Sequence, residues 1–310
     1  MSVVGVPFAF GQPLQGVDRG PIELRKAGLQ ERIMMEGWNV DDRGDIDVTA
    51  LVKGLDPNAV IMRDDYKMKR GPQVSAINKA TSEVVESAAK EDNFVLSLGG
   101  DHSIAIGTIA GILKARPDTG IIWVDAHADI NTPKTTLSGN VHGMCVAFLM
   151  KHPDCADAQE FSWLKDVPTL DPRRIVYIGL RDVDSGEKRI IRELGIRAFT
   201  MQDVDRHGIG RVMDLAIEHV RGRANRPLHL SLDIDGVDPL FAPSTGTRVG
   251  GGLTYREAYY LCETLAETGL LASMDMVEVN PSIVNDPSEG ERTVKMAVGL
   301  IASALGNRII

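Results

Sequence analysis

The sequence predicts an α/β protein built on a mainly parallel β-sheet. Short runs rich in Val and Ile alternate with longer helical stretches, which is typical of βαβ units. The chain has 310 residues, 43% of them hydrophobic and 25% charged, as in ordinary globular proteins. The residues alone allow two architectures, a closed (β/α)₈ barrel or an open doubly wound sheet.

Strand and helix candidates follow one another along the whole chain. The strand candidates are residues 3–6, 38–40, 94–98, 121–124, 175–178, 197–200, 228–232 and 271–279. The helix candidates are residues 22–36, 73–90, 104–114, 143–151, 187–194, 209–221, 255–268 and 289–305. Most of the strand candidates are mainly apolar and bounded by turn residues, as buried parallel strands are. Residues 41–72 and 151–172 are less regular, but neither has the composition of a linker. We therefore expect a single domain over residues 1–310.

Charge and cysteine content indicate the class of partner and the cellular compartment. There are 34 basic and 43 acidic residues, for a net charge of −9, which disfavours nucleic acid or an anionic membrane as a partner. The three cysteines form no CxxC pair, as expected in a reducing compartment. No apolar run is long enough for a membrane span, and residues 1–8 lack the features of a signal or transit peptide. We expect a soluble, cytoplasmic protein.

Three polar segments, each directly after an apolar strand candidate, carry a potential metal site. They contain GGDHS (99–103), DAHADIN (125–131) and SLDIDG (231–236). In extended chain, residues two apart face the same way, so the second and third segments could each direct their side chains to one side. In the first, the Gly-Gly pair permits a sharp turn before His102. One Asp after a strand is usually a cap or turn residue. This many carboxylates in pairs would repel one another without a cation. The candidate ligands are His102, Asp125, His127, Asp129, Asp233 and Asp235.

The chemistry of these ligands favours a pair of divalent ions. There is no thiolate, which argues against structural zinc. Mixed carboxylate and imidazole suits Mn²⁺, with Fe²⁺, Co²⁺ or Ni²⁺ as substitutes. Six ligands are too many for one catalytic ion with open positions, whereas two ions about 3.5–4 Å apart would use all of them and activate a bridging water.

Taken together, GGDHS, DAHADIN and SLDIDGVDP resemble the metal-binding signatures of the arginases, members of the ureohydrolase family, and the resemblance runs from about residue 4 to about residue 305. It implies a three-layer α/β/α fold around a parallel eight-stranded sheet rather than a barrel. It implies two Mn²⁺ per subunit, one held by His102, Asp125, Asp129 and Asp233, the other by Asp125, His127, Asp233 and Asp235. The implied reaction is hydrolysis of L-arginine to L-ornithine and urea, with a metal-bridging hydroxide attacking the guanidinium carbon. The implied assembly is a homotrimer or homohexamer.

The resemblance also assigns residues to the amino-acid end of the substrate. Asn131, Ser138 and Asn140 would bind the α-carboxylate, and Asp184, with Glu187 nearby, would hold the α-amino group. From the residues alone, the first three are equally well explained as turn formers. Asp184 and Glu187 are equally typical of an acidic helix start.

A last group is assigned to the reacting end. His142 would act as a proton shuttle that protonates the leaving amine, although by itself it could simply begin a helix. Glu278, in an apolar EVNP context, would orient the guanidinium, since a buried carboxylate needs a cationic partner. Thr247 would support Glu278, and Asp129 would accept a hydrogen bond from the hydroxide. Arginases commonly have Pro where this chain has Arg248.

Three alternatives stay open. Another ureohydrolase, such as an agmatinase or guanidinobutyrase, would share the metal ligands, but the polar loop at 138–140 favours arginine. A single-zinc deacetylase would share the fold, but the paired DxHxD and DxD patterns offer too many ligands. A catalytically silent binding protein is disfavoured because every ligand and His142 are present.

Overall fold

An open, eight-stranded parallel sheet forms the centre of the molecule, which the computed structural model describes over residues 1–63 and 65–308. The strands are β1 (Ser2–Val6), β2 (Asp41–Asp45), β3 (Val60–Arg63), β4 (Tyr66–Lys69), β5 (Val95–Gly99), β6 (Gly120–Val124), β7 (Ile175–Leu180), β8 (Arg197–Thr200), β9 (Leu228–Asp233) and β10 (Leu271–Val277). Strands β3 and β4 pair with each other as a separate antiparallel hairpin. The others run in the order β2-β1-β5-β10-β9-β6-β7-β8. Because β2 and β8 are edges, the sheet is not a barrel.

Helices cover both faces of the sheet. They are α1 (Gly20–Lys26), α2 (Leu29–Met35), α3 (Val48–Val52), α4 (Gly71–Lys90), α5 (Ala105–Ala115), α6 (Cys145–Leu149), α7 (Ser185–Leu194), α8 (Met201–Arg221), α9 (Tyr255–Glu267) and α10 (Pro287–Ala304). Alternate residues of a strand face opposite sides, so Val3 and Val124 join one core, with α1, α2 and α8 to α10. Val4 and Trp123 join the other, with α4 to α7. The predicted α/β/α fold is confirmed.

The second predicted strand, residues 38–40, is wrong. Trp38 instead packs edge-on against Phe94, and the strand is β2, whose residues are all exposed. An edge strand needs no apolar pattern, because only one of its sides pairs with the sheet. Arg25 holds β2 in place through Asp42 at 2.8 Å and Asp45 at 2.6 Å.

Other boundaries differ for local reasons. The helix predicted over 22–36 is divided into α1 and α2 at Gly28, whose φ of +83° is incompatible with a continuing helix. The helix predicted over 209–221 is preceded by a further helical segment that begins at Met201, where Thr200 and Asp203 form a capping box. Gly208, with a φ of +73°, kinks α8 between the two. Residues 41–72, which we expected to be irregular, contain β2, α3 and the β3–β4 hairpin.

The strand order brings the polar segments together. All eight strands of the sheet are parallel, so their carboxyl ends lie at one edge, where α/β proteins place their sites. The neighbours β5, β10, β9 and β6 deliver the segments that begin at Gly100, Glu278, Ile234 and Asp125. The single domain over 1–310 stays a prediction, supported by strands drawn from residue 2 to residue 277. Among the described residues, no helix has the length and apolar character that crossing a membrane requires.

Candidate metal centre and active site

His102 stands at the centre of a buried group of carboxylates. Its Nδ1 lies 3.1 Å from Asp125 Oδ2, 3.2 Å from Asp129 Oδ2 and 3.3 Å from Asp233 Oδ2. Its Nε2 lies 2.9 Å from the hydroxyl of Ser231. When Nε2 carries the proton, Nδ1 directs a lone pair at oxygens that are themselves only acceptors. This buried nitrogen has no hydrogen-bond partner among the described residues, so a cation between it and the carboxylates fits the donor set.

A second cluster shares Asp125 with the first. His127 Nδ1 lies 3.3 Å from Asp125 Oδ1 and 3.1 Å from Asp235 Oδ2. Asp125 therefore presents one oxygen to each imidazole, which is the arrangement of a bridging carboxylate. Ligand atoms of His102, Asp125 and Asp129, and of Asp125, His127 and Asp235, lie close enough to surround one ion each. The structure thus brings together the six ligands predicted from the sequence.

The electrostatics of this cluster also fit bound cations. Burial, followed by the charges of Asp235 and Asp125, raises the pKa of Asp233 well above its usual value. Burial and Asp125 likewise raise the pKa of Asp235. Carboxylates this crowded ionise together only when positive charge is placed among them, and divalent ions would supply it.

Two site residues hold strained backbone. Asp129 has a φ of +49° and Glu278 a φ of +60°, a left-handed conformation that disfavours L-residues by roughly 1–2 kcal/mol. Such conformations concentrate at functional sites. At Glu278 the strain ends β10 and turns the side chain inward, so the strand predicted over 271–279 stops at Val277.

Glu278 is buried, as predicted, and its protein partners are histidines. Its Oε1 accepts a hydrogen bond from the backbone N–H of His102 at 2.9 Å and lies 3.4 Å from His142 Nδ1. Among the described residues, no Lys or Arg lies within ion-pair distance of it. Burial lowers the pKa of His142, but its hydrogen bond to Glu278 and the charges of Glu278, Asp129 and Asp101 outweigh burial and raise the pKa to about 9.

The loop after the metal ligands is joined to the start of α7. Asn131 Nδ2 donates to Asp184 Oδ2 at 2.8 Å, and the backbone N–H of Ile130 donates to Glu187 Oε1 at 3.2 Å. Asp184 and Glu187 also form the capping box of α7, so the two carboxylates begin a helix and brace the metal loop at once. Burial, with the charges of Asp129 and Asp184, raises the pKa of Glu187 to about 8.

Ser138 and Asn140 lie further along the same loop. Ser138 is exposed and Asn140 half-buried, and the backbone N–H of Asn140 donates to the Ser138 hydroxyl at 3.1 Å. Their side chains are therefore accessible to a ligand at the mouth of the site.

We had expected Thr247 to support Glu278, but Thr247 contacts a different carboxylate. Its hydroxyl donates to Asp235 Oδ2 at 2.7 Å, because the segment after β9 folds back over Asp235, two residues beyond the end of that strand. Thr247 therefore orients a candidate metal ligand.

Comparison with known proteins accounts for this arrangement. A sequence profile of the arginase family matches residues 1–306. This chain belongs to the arginase family. Arginase-1 of Rattus norvegicus is 46% identical over 311 residues, covering 99% of this chain and 93% of the relative. The solved arginase of Bacillus caldovelox superposes with a TM-score of 0.87 at 40% identity, covering 100% of this chain and 99% of the other.

A further relative carries a bound ligand. The solved arginase of Entamoeba histolytica in complex with L-ornithine is 30% identical, with a TM-score of 0.83, and the match covers 99% of this chain and 98% of the other. The predictions of an arginase-family fold and of a hydrolase that converts arginine to ornithine and urea are thereby confirmed.

Some residues of this arginase-family site were missed in the sequence. Asp101 is fully buried and accepts backbone hydrogen bonds from Gly11 at 2.8 Å and Ser103 at 3.0 Å. The N–H of His142 donates to Gly11 O at 3.2 Å, so Asp101 anchors the segment beneath the candidate proton carrier. Its position between Gly100 and His102, inside the first polar segment, could have indicated a role at the site.

Ser231 and Arg181 were missed for different reasons. Ser231 precedes Asp233 by two residues on β9, so strand alternation could have placed it beside the ligand. No feature of the sequence around Arg181 indicated a role at the site. It donates to the carbonyl oxygens of Asp235 at 2.6 Å and Val249 at 2.7 Å, which belong to segments distant from it in the chain.

Proposed function

We propose that this protein hydrolyses L-arginine with two Mn²⁺ ions held by the six clustered side chains, Co²⁺, Ni²⁺ or Fe²⁺ being substitutes. The observation that carries the proposal is Asp125, which presents one oxygen to each of two imidazoles within a buried group of carboxylates. One ion would take His102, Asp125, Asp129 and Asp233, and the other Asp125, His127, Asp233 and Asp235. When bound, such a pair lowers the pKa of water and supplies hydroxide near neutral pH.

Glu278 would receive the substrate guanidinium. The carboxylate is buried beside the metal ligand His102, and no Lys or Arg among the described residues pairs with it. A planar guanidinium can donate two parallel hydrogen bonds to a carboxylate, which would hold the carbon to be attacked over the metal cluster. Asp129, whose backbone is strained, would accept a hydrogen bond from the attacking water.

His142 would deliver a proton to the leaving nitrogen. The amine of ornithine leaves most easily once protonated, and His142 beside Glu278 has a pKa raised to about 9. This shift favours the protonated imidazole, the form that can act as a general acid. Glu278 would serve both partners, since it lies beside the imidazole and would also pair with the guanidinium.

The amino-acid end would be held by the loop and the start of α7. Asn131, Ser138 and Asn140 would hydrogen-bond the α-carboxylate, while Asp184 and Glu187 would bind the α-amino group. These groups combine donors for an anion with acceptors for a cation, which suits an amino acid better than agmatine. The ornithine complex of the Entamoeba relative supports a product of this class. Cytoplasmic location and a homotrimeric or homohexameric assembly stay predictions.

Urea release tests the proposal directly. Purified protein is assayed with L-arginine and with agmatine, as isolated, after chelation, and after reloading with Mn²⁺. We expect arginine to be the better substrate, chelation to abolish urea release, and Mn²⁺ to restore it with two ions bound per chain. Preference for agmatine, or full activity with a single ion, would show that the proposal is wrong.

A further inference from the structure

The β3–β4 hairpin braces the loop that carries Ser138 and Asn140. The backbone N–H of Lys67 donates to Pro133 O at 2.7 Å, and that of Lys69 donates to Gly139 O at 2.8 Å. These two donors are alternate residues of β4, so the strand attaches to the loop at both ends. The hairpin lies outside the main sheet, and this contact gives it a role at the site.

The side chain of Lys67 extends the contact to the tip of the loop. Its ammonium donates to Leu137 O at 3.0 Å. Its methylenes lie over Gly139, where an added Cβ would come within 2.8 Å of Lys67 Cγ. Gly139 has a φ of +79°, so both the backbone conformation and the close approach require glycine.

The loop tip has little other support. Leu137 is 82% exposed. Apart from the bond from Lys69 N–H to Gly139 O, the hydrogen bonds at the tip are short-range: Gly139 N–H to Thr136 Oγ1 at 2.9 Å, and Asn140 N–H to Ser138 Oγ at 3.1 Å. Bonds of this range shape a turn but do not hold it against the body of the protein. Lys67 connects the tip to a separate element.

We propose that Lys67 is a positioning residue that sets the preference for substrates bearing an α-carboxylate. It fixes the conformation of residues 137–139, and its ammonium places a positive charge at Leu137, next to Ser138. A carboxylate bound by Ser138 and Asn140 gains from both effects, whereas a substrate without that group gains from neither. The inference rests on the proposed carboxylate-binding role of this loop.

Lys67→Met tests the inference, because Met keeps an apolar stem and removes the ammonium. The Mn²⁺-loaded, full-length protein is assayed for L-arginine turnover and for competitive inhibition by agmatine, which needs no turnover. We expect the KM for arginine to rise about three- to tenfold, the effect of losing one partly exposed, charge-assisted hydrogen bond. The kcat, the metal content and the inhibition constant of agmatine should stay within twofold. Lys67→Arg should restore the KM.

Two further variants make the result decisive. Lys53→Met is the control, since the ammonium of this exposed lysine makes no hydrogen bond or ion pair among the described residues, and it should behave as the parent. Ser138→Ala reports on the loop itself. If Ser138→Ala raises the arginine KM and Lys67→Met does not, the inference is wrong and the proposed function stands. If neither raises it, the carboxylate-binding role is wrong too. A parallel loss of kcat, or of agmatine binding, in Lys67→Met would show a merely structural effect and overturn the inference.

Discussion

Replacing Glu278 by Gln removes a charge while keeping the size of the side chain and an oxygen that accepts a hydrogen bond. The N–H of His102 therefore keeps its acceptor, 2.9 Å away. What changes is the electrostatic environment of His142, whose Nδ1 lies 3.4 Å from the carboxylate. Burial alone would lower the pKa of His142, and Glu278 makes the largest contribution to raising it.

The size of the effect follows from the pKa. Its rise from 6.5 to about 9 corresponds to about 3 kcal/mol favouring the protonated imidazole in the folded protein. Because the folded pKa is above the unfolded one, this contribution is fully present below pH 6.5 and is lost as the pH rises through 9. Without Glu278 most of it should disappear, so the difference in unfolding free energy between parent and variant should shrink between these pH values.

Denaturant unfolding of the metal-free protein, from pH 6 to pH 10, measures this difference, and NMR of the His142 ring reports its pKa directly. His142→Asn is the control, because it should remove the same pH dependence without touching Glu278. If the unfolding free energies of the parent and of Glu278→Gln differ by a constant amount from pH 6 to pH 10, the proposed effect of Glu278 on the pKa of His142 is wrong. In the Mn²⁺-loaded protein, Glu278→Gln should lower kcat/KM for arginine about 30-fold or more, since the substrate guanidinium loses its buried carboxylate partner.

Other substitutions test the remaining parts of the site. Asp125→Ala should remove both ions and Asp129→Ala only the ion beside His102, as counted by metal analysis of purified protein; two ions in Asp125→Ala would contradict the shared ligand. Thr247→Val should weaken metal binding about tenfold in a chelator titration, because Asp235 loses its 2.7 Å hydrogen bond, and unchanged affinity would argue against that role. The pKa of Glu187 is raised from 4.5 to about 8, so the metal-free protein should lose more stability than Glu187→Gln as pH rises between these values. Thermal unfolding at pH 5 and pH 8 measures this, and an equal decline in both proteins would count against it.

Most of the site was predictable because its residues lie in short segments after strands. The pairs Asp125–His127 and Asp233–Asp235 follow from alternation along the chain, which is a local property. Glu278 could be recognised because a carboxylate in a mainly apolar strand candidate needs a partner. The identity of that partner could not, since His142 is brought to it from another part of the chain.

Elements whose position depends on distant contacts were predicted less well. Strand β2 is polar and exposed, and it forms at the sheet edge because Arg25 holds Asp42 and Asp45. The hydroxyl of Thr247 donates a hydrogen bond to Asp235 and not to Glu278. Each outcome was decided by a side chain remote in sequence from the segment it holds.

Patterns along the chain were sufficient to establish the alternation of strands and helices, the six candidate ligands and the family, because periodicity and motif spacing are encoded between near neighbours. Folding decided the open order of the sheet, the orientation of Asp125 between two imidazoles, and the contact of the β3–β4 hairpin with the loop that carries Ser138 and Asn140. These depend on the register and approach of segments far apart in the chain, where packing selects one arrangement among several that the residues themselves allow.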